Sequence, residues 1–115
     1  KKSYDFSLAI IKLYKNLSSE KKEFILSKQI LRSATSIGAN INEALSACSK
    51  RDFVYKMNIA LKETRETIYL LNLLVDSDYL EREYFNSLVK TGNELMKMLN
   101  SIIITTKERY LTNTN

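Results

Sequence analysis

A chain of 115 residues with 44% hydrophobic content is sized for one domain with one real core, burying roughly 65% of its unfolded surface. Proline and histidine are absent, and the only glycines are Gly38 and Gly92, which excludes a turn-rich β protein and a glycine-rich phosphate loop. The lone Cys48 excludes an internal disulfide and a multi-cysteine zinc site, while the net charge of +5 points either to an anionic partner or to a solvated lysine face.

Four helical segments follow in chain order, over about 3–17, 20–48, 52–75 and 79–109. The first places Phe6, Ile10, Leu13 and Leu17 on one face, and Ser18-Ser19 supply a break and an N-cap. Glu20 and Glu23 suit the positive end of the second segment, which continues through Ile30, Ala34, Ile37, Ile41, Ala44 and Cys48 as an apolar stripe. Its middle is small (Ser33, Ala34, Ser36, Gly38, Ala39), and close approach of another helix offsets the cost of about 1 kcal/mol for a helical glycine.

Ser49 or Asp52 caps the third segment, where Phe53, Met57, Ala60, Leu61, Thr64, Ile68, Leu71 and Val75 keep helical spacing. Tyr55, Ile59, Tyr69, Leu70 and Leu73 widen that stripe beyond one face, as expected of a helix that is central or shared with another subunit. Asp76-Ser77-Asp78 forms the next turn, and Asp78 with Glu81 has capping-box spacing. The fourth segment buries Phe85, Leu88, Val89, Leu95, Met96, Leu99, Ile102 and Ile103, and the polar tail 112–115 is expected to fray. Short breaks between such helices predict an all-α fold, an antiparallel up-down-up-down four-helix bundle occupying 1–115 as a single domain.

One face of the second segment is unusual. Ser36, Asn40 and Glu43 lie at i, i+4 and i+7 and form a polar row beside the apolar stripe. With Glu63 and Glu66 turned inward, the row is either a hydrogen-bonded network that fixes helix register, paired with Arg32 or Arg65, or a cation site. A di-iron centre is disfavoured because its Glu-x-x-His pairs need histidine, so no metal and no cofactor are expected.

These residues also carry a family resemblance. Gln29-Ile30-Leu31-Arg32-Ser33-Ala34, then Ser36, Ile37, Asn40, Ile41 and Glu43, then Ser49, Lys50, Asp52 and Phe53, then Ile59-Ala60, Lys62-Glu63, Glu66-Thr67 and Tyr69 resemble the four-helix-bundle proteins encoded in intervening sequences of bacterial 23S ribosomal RNA. Ala44 stands where many members have glycine, and Leu70 where many have tryptophan. The resemblance implies a protomer that assembles into a ring, commonly a homopentamer. Related proteins include the accessory variability determinant of diversity-generating retroelements, which works with nucleic acid and implies a reverse-transcriptase-like partner as one option.

Charge is unevenly spread along the chain. The first 32 residues hold eight basic residues against Asp5, Glu20 and Glu23, so the whole excess lies there. Lys12, Lys15, Lys21, Lys22, Lys28 and Arg32 are the candidate phosphate contacts to RNA or DNA, repeated around a ring as a multivalent surface. The plainer reading is a solvated outer face. Tyr4 and Tyr14 are placed either to stack on bases or, as is commoner, to pack half-buried beside the stripe. Catalysis lacks a histidine, a nucleophile–base pair and an evident cleft for Glu63 and Glu66, so no enzyme is expected and no residue is assigned as catalytic; a carboxylate-based hydrolase is the remaining enzymatic option. Cys48 is expected as a small buried filler. A purely structural or protein-interaction oligomer is the alternative function. No apolar run is long enough to span a membrane and Lys1–Asp5 does not lead into a signal core, so the expected location is cytoplasmic, with no membrane partner.

Overall fold

The computed structural model describes residues 1–114, with side chains described as far as Arg109. Four helices account for almost all of it: α1 (Lys2–Ser19), α2 (Leu26–Leu45), α3 (Lys50–Asp76) and α4 (Arg82–Thr114), with no strand among the described residues. The apolar spacing read from the sequence is the buried one. Phe6, Ile10, Leu13 and Leu17 of α1 meet Ile30, Ala34 and Ile37 of α2, Leu71 and Leu74 of α3, and Leu95 and Leu99 of α4 in a single core cluster. Helix α2 packs on α1 and α3, α3 packs on α4, and α4 closes back on α1; among the described residues the diagonal pairs make no close backbone contact.

This order explains the broad apolar surface of α3. It packs extensively on both α2 and α4, and Leu70, Leu71, Leu74 and Val75 are all buried within the protomer. Tyr55 and Tyr69 are not; each remains 61% exposed. The molecule is elongated, 56 × 22 × 20 Å, because the 33 residues of α4 span about 50 Å at 1.5 Å per residue. The shorter α1 starts beside the middle of α4, where Lys2 pairs with Glu94 at 3.1 Å.

The first connection differs from its sequence-based reading. Ser18 and Ser19 do not break the chain: both lie within α1 and donate to the Tyr14 and Lys15 carbonyls, the back-bonding that lets serine persist in a helix interior. The second helix starts at Leu26 rather than near 20. Its free N–H groups are satisfied by Glu23, whose carboxylate accepts from the backbone of Ile25, Leu26 and Ser27 at 3.3, 3.0 and 2.7 Å. Lys22 turns the chain with a left-handed φ of 55°.

The other caps divide between expectation and correction. Ser49 accepts from the Asp52 N–H at 3.0 Å and caps α3 as expected. Asp78 and Glu81 do not form a capping box. Instead Asp78 takes φ 66° and ends α3 in a Schellman arrangement, with Tyr79 N–H on the Leu74 carbonyl at 2.9 Å and Asp78 N–H on Val75 at 3.2 Å. Cys48 is exposed, not a buried filler, because α2 ends at Leu45 and the helical register no longer applies three residues on. The fourth helix runs past the expected end near 109 to Thr114; of the tail expected to fray, Asn115 lies outside the described residues.

The small residues of α2 do not all serve close approach. Ser33 and Ala34 are buried, but a β-carbon on Gly38 would meet only Ser3 Oγ at 3.9 Å, an ordinary contact. A β-carbon on Gly92 would stand 3.1 Å from Ile68 Cγ1. Gly38→Ala should therefore raise stability by about 0.5–1 kcal/mol, with Gly92→Ala falling short of that gain or reversing it. Thermal unfolding of the two variants side by side checks the ordering.

Candidate nucleic-acid interface and the polar seam

The lysine-rich part of the chain forms one end of the bundle. Lys12 and Lys15 lie on the C-terminal half of α1, Lys21 and Lys22 in the α1–α2 connection and Lys28 in the first turns of α2, and all five side chains are exposed. Of the three acidic residues in this region, Glu23 is buried against the N-terminus of α2 and Asp5 sits in the first turn of α1 at the other end. Within residues 12–28 only Glu20 stays exposed among the lysines. The cap that starts α2 thus removes a negative charge from the surface and leaves the lysines less compensated than composition alone implies.

Two of these lysines converge on a groove. Lys12, Asn16 and Lys21 form one wall of an open cleft of about 810 Å³, and Asp78, Tyr79, Glu81, Arg82 and Tyr84 line the α3–α4 side. Arg82 has partners of its own, 3.8 Å from Asp76 and 5.2 Å from the Phe85 ring centroid. Tyr79 and Tyr84 are half-buried, and burial pushes the Tyr84 phenol above its ordinary range, keeping its hydroxyl a donor. Both left-handed non-glycine residues, Lys22 and Asp78, lie at this end, where they turn the chain between helices. Tyr79 and Tyr84 are not legible as site residues in the sequence, since nothing there brings the α3–α4 turn beside α1. Tyr4, by contrast, is 67% exposed rather than half-buried, and Tyr14 is half-buried.

Arg32 stands apart from the other candidate phosphate contacts. Its guanidinium donates to Glu63 at 3.1 Å and to Glu66 across the α2–α3 seam, and those hydrogen bonds, Glu63 first, hold it above its ordinary range. Ser36 donates to the same Glu63 oxygen at 3.1 Å, and Asn40 donates to the Ser36 carbonyl and hydroxyl at 2.9 and 3.1 Å. The polar row is thus a connected network with Arg32 as its cation, not Arg65. Glu43 belongs to a separate pair with Lys56 at 2.8 Å, and that hydrogen bond raises the Lys56 ammonium above the usual lysine range.

Beneath the network, Ser33 Oγ and Thr67 Oγ1 meet at 2.8 Å in full burial, a contact the sequence does not single out. Glu63 is 8% exposed, and among the described residues its Oε1 has no hydrogen-bond partner. Among the described residues no three His, Cys, Asp or Glu side chains cluster as a metal site. Removing Arg32 would leave the buried Glu63 carboxylate with one side-chain donor, so Arg32→Ala should cost about 2 kcal/mol, reduced from the fully buried case by Arg32's exposure. Urea unfolding at neutral pH measures it.

Four amphipathic helices around one core, a polar seam between α2 and α3, and a basic end define a four-helix-bundle protein; among the described residues no helix is long and apolar enough to cross a membrane. The chain belongs to the 23S rRNA-intervening sequence protein family, which matches residues 1–101. It is also similar to a solved structure, a protein with unknown function from the S23 ribosomal protein family of Bacteroides thetaiotaomicron, at 54% identity and a TM-score of 0.88, over 89% of this chain and 94% of that one. No curated protein matches it.

Proposed function

We propose that this protein is a non-enzymatic, nucleic-acid-binding bundle whose basic end contacts the phosphates of RNA or DNA through Lys12, Lys15, Lys21, Lys22 and Lys28. The observation that carries this reading is the cluster of five exposed lysines against one exposed acid, Glu20, within residues 12–28, where Glu23 is turned inward; Asp78 and Glu81 stand on the opposite wall of the groove. The groove beside them adds Asn16 and the half-buried Tyr79 and Tyr84. Arg32 leaves the phosphate set because two carboxylates already neutralise it.

The protomer on this reading is an up-down-up-down bundle that works in the cytoplasm as a ring-shaped homo-oligomer, a pentamer by family resemblance, alone or with a reverse-transcriptase-like partner. Apolar side chains left outside the core support assembly: Leu45 is 73% exposed, Ile104 54% and Met98 37%. Light scattering followed by titration of the same sample with structured RNA and with duplex DNA at low salt tests both parts. A defined oligomer that binds either probe is the expected result. A defined oligomer that binds neither overturns the nucleic-acid reading in favour of a structural or protein-interaction assembly, and a monomer removes the ring.

A further inference from the structure

The outward face of α3 carries a second basic surface, remote from the lysines of α1. Arg51, Tyr55, Asn58, Lys62, Arg65 and Tyr69 follow one another at steps of four, three, four, three and four residues, and all six are exposed. That spacing averages close to one helical turn per step, so the side chains form a nearly straight stripe. Because α3 packs on α2 and α4 and not on α1, the stripe faces away from α1.

Its composition is selective. Tyr55 and Tyr69 are each 61% exposed, an unusual state for two large aromatic rings on one helix face. Among the described residues Arg51, Lys62 and Arg65 make no ion pair, whereas the other acids and bases of the middle of α3 are engaged: Lys56 with Glu43, and Glu63 and Glu66 with Arg32. The stripe itself contains no carboxylate over its length from Arg51 to Tyr69. Three unpaired cations are therefore interleaved with two exposed tyrosine rings about 21 Å apart along the axis, and the Lys56 ammonium lies 5.9 Å from the Tyr55 ring centroid, a further cation beside one of the rings.

We propose that this stripe binds single-stranded nucleic acid, with bases stacking on Tyr55 and Tyr69 and phosphates pairing with Arg51, Lys62 and Arg65. Stacking platforms interleaved with cations suit a strand whose bases are free to turn outward; in a duplex the base faces are already stacked and cannot reach the rings. A two-fold contact of stripe on stripe sets cation against cation, and a head-to-tail ring contact would pair the stripe with a different face, an outcome that the mass of the variants below reads out. The inference extends the nucleic-acid reading to a second face and stands on different residues.

The test compares an oligothymidylate with a duplex of equal length, on the full chain. Tyr55→Ala with Tyr69→Ala should weaken oligothymidylate binding by at least about 30-fold, from stacking removed at two rings, while duplex affinity changes by less than about twofold. The double Tyr→Phe variant should keep wild-type affinity, because the ring face is retained. Arg51→Gln, Lys62→Gln and Arg65→Gln together should flatten the salt dependence for the single strand by about 2 in log–log slope. All these positions are exposed, and an unchanged melting temperature confirms that each variant is folded. Unchanged oligothymidylate affinity in the alanine variant overturns the inference, as does equal loss for both probes. A fall in oligomer mass in that variant also overturns it, by assigning the stripe to a subunit contact. Wild-type protein that binds duplex alone defeats only this inference; protein that binds neither probe defeats the broader reading as well.

Discussion

Replacing Lys12, Lys15, Lys21 and Lys22 together by glutamine should lower affinity for duplex nucleic acid by about a hundredfold at low salt and flatten the log–log salt dependence by about 3.6, one increment of about 0.9 for each phosphate no longer neutralised. The size of the effect follows from the arrangement rather than the count. Basic residues are spread along the whole chain, but beyond residue 32 the ten basic residues are balanced by ten acidic ones. Over residues 12–28 five exposed lysines face one exposed acid, Glu20, because Glu23 is committed to the backbone of Ile25, Leu26 and Ser27; Asp78 and Glu81 lie on the opposite wall of the groove. Neutralising Lys90, Lys97 and Lys107 on α4 in a control variant should change affinity by less than about tenfold. Fluorescence anisotropy over a salt series separates the two variants. Similar losses in both would mean that net charge, not this surface, governs binding.

The largest expected effect on stability lies in α3. Leu71→Ala should cost about 3–4 kcal/mol and lower the melting temperature by roughly 12–15 °C. Leu71 is fully buried, and it sits on the helix that packs on both α2 and α4. Neighbouring helices cannot close the resulting cavity without disturbing two interfaces at once, which places the cost towards the upper part of the range for leucine truncation. Calorimetry or urea unfolding gives the value. A loss below about 1.5 kcal/mol would show that the core relaxes around the site.

What can be read from the sequence is the part dictated by helical periodicity. The stripes of α1 and α3 and the Ser49 cap depend on residues close together in the chain, and they stand in the structure as read. The polar row is legible for the same reason: Ser36 and Asn40 share a helical face, and Asn40 does donate to Ser36. By sequence its cation is either Arg32 or Arg65, and only the packing of α2 on α3 decides for Arg32. The errors fall at the connections. Ser19 and Glu23 both satisfy the chemistry of an N-cap, and local propensity cannot weigh a serine that back-bonds within α1 against a glutamate four residues on that reaches three N–H groups. Likewise Asp78 is as suited to the left-handed end of one helix as to the start of the next, and the Schellman bonds to Leu74 and Val75 settle which. The groove is beyond the reach of sequence because its two walls, Lys12 to Lys21 and Asp78 to Tyr84, meet only after the bundle closes between α1 and α4.

Lysine acetylation with and without bound RNA, read by mass spectrometry, tests the central proposal most directly because it reports the binding surface without mutation. RNA should protect Lys12, Lys15, Lys21, Lys22 and Lys28 while Lys90, Lys97 and Lys107 react at the same rate in both samples. Equal reactivity of the first five lysines in free and RNA-bound protein, or protection confined to α4, would contradict it.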